Sequence, residues 1–229
     1  SLAGRKLWIP RMTYVGARLA AAVFRGIGLD AEITPPSDER TLELGGLHTS
    51  GEECYPEKVT IGDFLRIIQA PDFDPYRNAF FMPTAEGPCR FGQYAPYLEQ
   101  VLRELGHDDV PVISPSSKNS YDEFTRHSAD FMRRGWWSLI AADIVRKFLL
   151  KTRPYEDTPG DTDETFEKAL GHLDEVVSRR DLSGGKRFKA CLPGGASTPY
   201  LTADHLDVAM DFDPLEEVES RLGTAGVTA

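Results

Sequence analysis

Lys6-Leu7-Trp8-Ile9-Pro10, followed by Met12, Val15, Leu19, Val23, Phe24 and Ile27 at helical spacing, decides the fold class. A short apolar run closed by proline reads as a strand, and apolar residues every three or four positions read as one face of a helix. The helix should end near Gly28, and Ala31-Glu32-Ile33-Thr34 then reads as a second strand stopped by Pro35-Pro36. Strand, helix, strand with so little chain between them is a βα unit, and such units build parallel sheets.

Further along, Ser37 can cap a helix through Leu44 that Gly45-Gly46 should stop, and Leu47-His48-Thr49-Ser50 reads as a third strand. Pro56 suits the first turn of a helix with Ile61, Phe64, Leu65 and Ile68 on its apolar face. Ala79-Phe80-Phe81-Met82-Pro83 reads as a buried strand, and a helix should carry Phe91, Tyr94, Leu98, Val101, Leu102 and Leu105 on one side. Val110–Ile113 reads as another strand. A long helix is expected over Tyr121–Lys151, bent near Gly135, with Trp137, Ile140, Ile144 and Phe148 facing the core. Phe166, Leu170, Leu173 and Val177 mark one more helix, and Arg187–Leu192 a final strand. The expectation is an α/β protein: a Rossmann-like, doubly wound, mostly parallel sheet in three layers, with a helical and acidic C-terminal extension.

The 229 residues suit one large domain or a domain and part of another. A loop-forming run, Arg153-Pro154-Tyr155-Glu156-Asp157-Thr158-Pro159-Gly160-Asp161, predicts a boundary there: residues 1–152 as the Rossmann-like domain, residues 153–229 as an extension or partial second domain. The charge follows this division, with 17 basic and 20 acidic side chains in residues 1–150 against 9 and 16 beyond them. A net charge of −10 argues against nucleic acid and anionic membrane as partners, since phosphates attract clustered Lys and Arg. No apolar run approaches the ~18–20 residues of a membrane span. Three cysteines are too few for a disulfide scaffold, so a cytoplasmic location is expected. The chain opens on Ser1-Leu2 without an initiator Met, which reads as a cloning remnant or as a segment of a longer polypeptide.

Familiar signatures fail. Gly26-Ile27-Gly28-Leu29-Asp30-Ala31 spells a relaxed dinucleotide fingerprint but falls at a helix end, where its glycines read as caps. Gly184-Gly185-Lys186-Arg187 lacks the flanking residues of a phosphate-binding loop, so the segment should not hydrolyse ATP. None of the five histidines forms a zinc helix or a triad; His107, His172 and His205 read as solvated and His48 as structural.

The cysteines carry the chemistry. Cys54 in Glu52-Glu53-Cys54-Tyr55-Pro56-Glu57-Lys58 and Cys89 in Gly87-Pro88-Cys89-Arg90-Phe91-Gly92-Gln93-Tyr94 each precede a helix. Ligands of open parallel sheets bind at the strands' carboxyl ends, and a helix N-terminus favours thiolate over thiol. Lys58 and Arg90 would add positive charge, and two thiols in neighbouring turns could converge on a soft metal centre or an iron–sulfur cluster. The opposing reading is that Cys is a small, commonly buried hydrophobe; no C-x-x-C pair is present, and Cys191 by itself reads as a core residue.

Ile9-Pro10-Arg11, Glu53-Cys54-Tyr55-Pro56-x-Lys58 with Gly62, and the run Gly87–Tyr94 together resemble the acyl-CoA dehydratase activase-related family, which is similar to 2-hydroxyacyl-CoA dehydratase and benzoyl-CoA reductase subunits. The resemblance covers residues 5 to about 120 well and the remainder loosely. It implies a [4Fe-4S] cluster held by Cys54 and Cys89, with Cys191 the remaining candidate for a third ligand and Arg90 and Lys58 in auxiliary roles. It also implies an ATP-hydrolysing activase protein or domain as electron donor and an acyl-CoA as substrate. No residue is assigned a catalytic role. The expected function is an iron–sulfur redox module that accepts a low-potential electron. The alternatives are a cluster-free interaction or regulatory domain within a larger activase polypeptide, and an α/β enzyme using Cys54 or Cys89 as nucleophile or zinc ligand.

Overall fold

A computed structural model describes residues 2–85, 87–115, 131–179, 189–190 and 208–209. Four strands, β1 (Lys6–Ile9), β2 (Asp30–Ile33), β3 (Asn78–Phe81) and β4 (Val112–Ile113), form one all-parallel sheet in the order β2-β1-β3-β4. The helices are α1 (Tyr14–Gly26), α2 (Glu39–Leu47), α3 (Tyr55–Ile68), α4 (Tyr94–Glu104), α5 (Phe131–Thr152) and α6 (Asp161–Ser178). A separate antiparallel bridge joins β5 (Lys189–Ala190) to β6 (Val208–Ala209). No helix among the described residues is long and apolar enough to cross a membrane.

Alternate residues of each strand face opposite sides; β1 and β3 place apolar side chains on both, as a sheet covered on two faces requires, whereas Asp30 and Glu32 of the edge strand β2 are exposed. Leu7, Ile9, Ala31 and Ala79 pack on α1 through Ala17, Ala21 and Phe24. Phe80 and Met82, with Trp8 and Val112 at the margin, pack on α3 and α4 through Phe64, Leu65, Leu98 and Leu102. Helix α1 in turn carries α5 and α6 on its outer side, where Val15 and Leu19 meet Ala142, Val145, Phe166 and Leu170. Asp174 of α6 receives Arg18 at 3.2 Å and also pairs with Arg25. The result is the expected α/β, Rossmann-like, three-layer arrangement, with α1 on one face of the sheet and α3 and α4 on the other.

Helices α2 and α3 differ from expectation in an instructive way. Gly45 and Gly46 do not stop α2, which continues to Leu47, and no strand forms at residues 47–50. Asp38, rather than Ser37, is the N-cap: it accepts from the Thr41 backbone N–H at 3.0 Å, and its own N–H donates to Thr41 Oγ1. This reciprocal box satisfies two amide donors that a helix start leaves without partners. A Cβ on Gly45 would lie 2.1 Å from the Lys58 carbonyl oxygen, and one on Gly62 2.0 Å from that of Thr41. These glycines exist for close helix approach, which in a single sequence looks the same as a helix stop.

Ser37 and Thr41 instead donate hydroxyl hydrogen bonds to Asp63, at 2.9 and 3.0 Å. Burial raises the Asp63 carboxyl above its ordinary value, and nearby Asp38 adds to the push; the two hydroxyls and Arg66 act the other way. The native state therefore holds this proton at pH values where the unfolded chain has released it. The stability it contributes is full below the unfolded carboxylate value and is lost as pH rises through the higher native one. Asp63→Asn, which cannot titrate, should flatten that part of the stability–pH curve above about pH 4. Urea melts across that range check it; an unchanged slope contradicts it.

Helix α5 is continuous through Gly135, where the sequence suggests a bend, and the residues before Phe131 lie outside the described set. Its buried line is Arg134, Ser138, Ala142 and Val145. The expected face of Trp137, Ile140, Ile144 and Phe148 is only half-buried. Small residues at the contact let α5 lie close against α1, so the largest apolar side chains fall on its flanks. Gly28, with φ +96°, follows the Ile27 cap that closes α1, whereas Gly26 is the last residue within the helix, where a Cβ would lie 2.8 Å from the Val177 carbonyl oxygen. His48, beyond the end of α2, accepts a hydrogen bond from the Tyr97 hydroxyl on its carbonyl at 2.7 Å, a structural role as expected. His107 is half-buried against the Phe73 ring rather than fully solvated, and His172 is also half-buried; His205 lies outside the described residues.

Candidate functional site

The chain leaves β1 into α1 on one face and leaves β3 into α4 on the other. In open α/β sheets such a reversal opens a crevice beyond the strands' carboxyl ends. Helix α3 feeds β3 and runs antiparallel to it, so the α3 N-terminus lies at that same end. Both described cysteines are found there. Cys54 is the residue before α3, with extended backbone (φ −71°, ψ 153°) and proline within the first two helical positions. Cys89 occupies the equivalent place before a 3-10 turn, Arg90–Gln93, that leads straight into α4. Neither side chain caps its own helix.

Tyr94, the first residue of α4, joins the two turns. Its hydroxyl lies 2.9 Å from Cys54 Sγ, and its ring meets Phe91 edge-to-face at 5.2 Å. Burial pushes the Tyr94 hydroxyl well above the ordinary tyrosine range, followed by its contact with Cys54; Glu57 and Cys89 add to it. The phenol therefore stays protonated. Arg90 reaches back to donate to the Glu52 carbonyl, tying the Cys89 turn to the segment that carries Cys54. Cys54 is half-buried against the α3–α4 core and Cys89 is exposed. Lys58 lies one turn into α3, and its backbone N–H donates to the Cys54 carbonyl at 3.2 Å.

Carboxylates complete the surroundings. Glu57 is buried, at 2% exposure, in the first turn of α3. Desolvation raises its carboxyl, Glu53 adds to this, and Arg90 opposes it. Glu53 goes the other way. Against a desolvation push upward, backbone N–H groups and the Ser50 hydroxyl, which donates at 3.0 Å, hold it at about 2. Tyr97 is pushed up to about 12 by burial and then by Glu53. Two neighbouring acids are thus driven apart, one towards the neutral form and one firmly ionised.

Of the residues singled out in the sequence, Cys54 and Cys89 stand at the two helix starts and Arg90 bridges from one turn to the Glu52 carbonyl of the other, while the Lys58 side chain lies against Gly45 of α2; Cys191 lies outside the described residues. Tyr94 and Glu57 are participants that sequence reasoning passes over. Both stand inside the two cysteine-bearing runs, yet a tyrosine at helical spacing reads as core, and a first-turn glutamate as an exposed partner of the helix dipole.

Two thiols at adjacent helix starts, with a hydroxyl donor and a guanidinium beside them, suit a soft, anionic, thiolate-ligated group. A [4Fe-4S] cluster takes thiolates at its irons, usually four. Among the described residues no set of three or more His, Cys, Asp or Glu is grouped to hold a metal ion. The donors present therefore fit part of a cluster's ligand set.

No protein-family model and no solved structure matches the chain. Curated relatives do match. The chain is similar to the F subunit of NADH-quinone oxidoreductase in Rhodobacter capsulatus, 26% identical over 226 residues, covering 92% of this chain and 47% of that protein. It is 43% identical over 68 residues to the Rickettsia typhi F subunit, covering 27% of this chain and 16% of the relative. It is 51% identical over 49 residues to that of Escherichia coli K12, covering 20% and 11%. The chain thus spans about half the length of one relative and under a fifth of the others. These findings correct the resemblance to the acyl-CoA dehydratase activase-related family: the matching relatives carry another name. The expected ATP-hydrolysing activase partner, with the acyl-CoA attached to that picture, falls with it, since the relatives are subunits of an oxidoreductase. The misleading strings are short and rich in Gly and Pro at turn and cap positions, which many βα junctions need for reasons of backbone geometry alone.

Proposed function

We propose that this chain is a redox module that carries electrons within a larger oxidoreductase assembly, using an iron–sulfur cluster held by Cys54, Cys89 and Cys191. The observation that carries the reading is the pairing of Cys54 and Cys89 at helix starts on the carboxyl edge of one parallel sheet, linked through Tyr94 and Arg90. The likeness to the F subunit of NADH-quinone oxidoreductase, a redox protein by its name, supports it. When bound, the cluster would supply a one-electron acceptor and donor. The chain's own residues do the rest. Backbone N–H groups at the starts of α3 and the 3-10 turn favour the thiolates, and Arg90 and Lys58 offset the negative charge. Burial raises the Glu57 carboxyl and so works against a further negative charge beside the thiolates. Partners are other subunits of such an assembly, reached from the exposed Cys89 side. Full-chain protein purified without oxygen should contain about four irons and as many acid-labile sulfides. Iron-free, colourless protein prepared this way would contradict the reading and leave an interaction domain of the same fold.

A further inference from the structure

We infer that Tyr94 is a positioning residue that sets the reduction potential of the cluster through a hydrogen bond to Cys54 Sγ. This rests on the reading of Cys54 as a ligand. At 2.9 Å either atom could donate while the sulfur carries a proton. Once the thiolate binds iron it has no proton to give, so only the phenol can be the donor. Two features hold it in that role. Tyr94 opens α4, so its backbone is placed by the helix, and its ring is buried and braced edge-to-face by Phe91. A hydrogen bond to a ligand sulfur withdraws electron density and favours the cluster's more negative, reduced state. Losing it makes the cluster harder to reduce.

The same geometry distinguishes Tyr94 from Arg90. The guanidinium of Arg90 is engaged with the Glu52 carbonyl, so it acts at a distance through its charge. Tyr94 is the hydroxyl in direct contact with Cys54 Sγ, and its effect should vanish with that one oxygen. Tyr94→Phe keeps the ring, the Phe91 contact and the helix start, and deletes only the donor.

Dithionite titration of the anaerobic full chain, followed by EPR, reads the midpoint potential. Tyr94→Phe should retain its iron and shift to lower potential by about a tenfold change in the reduction equilibrium, ~59 mV for one electron. A second reading uses the unaltered chain: after exchange into deuterium oxide, pulsed EPR should detect a deuteron coupled to the cluster that the Phe variant lacks. An unmoved potential at full iron content overturns the inference while leaving the cluster reading intact. So does loss of iron by a folded Tyr94→Phe variant, which would make the residue necessary for holding the cluster rather than for tuning it. Absence of a coupled deuteron in the unaltered chain overturns it even where the variant fails to fold. An iron-free unaltered chain overturns the cluster reading, and this inference with it.

Discussion

Gly62→Ala should destabilise the protein by about 1–3 kcal/mol or more, the range for forcing extra volume into a packed interior. An alanine Cβ there would sit 2.0 Å from the Thr41 carbonyl oxygen and 3.0 Å from the Thr41 Cγ2 atom. Neither partner is the loose end of a long side chain: one is backbone, the other a methyl group in the buried box with Asp38 and Asp63. The helices must separate, opening the contact on which Leu44, Ile61 and Leu65 close the core. Gly45→Ala meets the Lys58 carbonyl in the same way. Its neighbour supplies the control, because a Cβ on Gly46 meets nothing within 4 Å. Gly46→Ala should therefore show only the helix-propensity gain of about 0.5–1 kcal/mol. Opposite signs at adjacent glycines in urea melts support close helix approach; a stable Gly62→Ala variant contradicts it.

Cys54→Ser and Cys89→Ser should each remove most of the iron from anaerobically purified protein while leaving the fold in place. Serine keeps the size and the cap position, and its hydroxyl is a poor ligand for iron beside a thiolate. Cys89 is exposed, so Cys89→Ser should cost little stability; Cys54 packs against the α3–α4 core and will cost somewhat more. Iron analysis and far-UV circular dichroism on the same samples separate ligand loss from unfolding. Retention of full iron by both variants would remove these two residues from the ligand set.

The sheet was legible because its signal is local. The run at residues 79–83 is apolar on both faces and that at 6–10 is apolar apart from Lys6, and the 3.6-residue periodicity of α1, α4 and α6 shows one face to the core. The α2–α3 pair was not, since Gly45 and Gly62 serve a contact between helices, and no local pattern separates that from a helix end. For α5 the apolar residues are correctly seen as helical but assigned to the wrong side, because Ala142 and Ser138 make the close contact and the bulky residues flank it. At the site, Cys54 and Cys89 are legible as cap residues before helices. Tyr94 is not, because its role depends on the chain folding back at the sheet's edge to meet Cys54, 40 positions earlier. The family resemblance failed where strings of turn formers stood in for a whole-chain likeness.

Low-temperature EPR of the full chain, purified without oxygen and reduced with dithionite, tests the central claim most directly. The expected result is a cluster spectrum integrating to about one spin per chain, lost in Cys54→Ser and in Cys89→Ser. A silent spectrum from folded, fully reduced protein would contradict it.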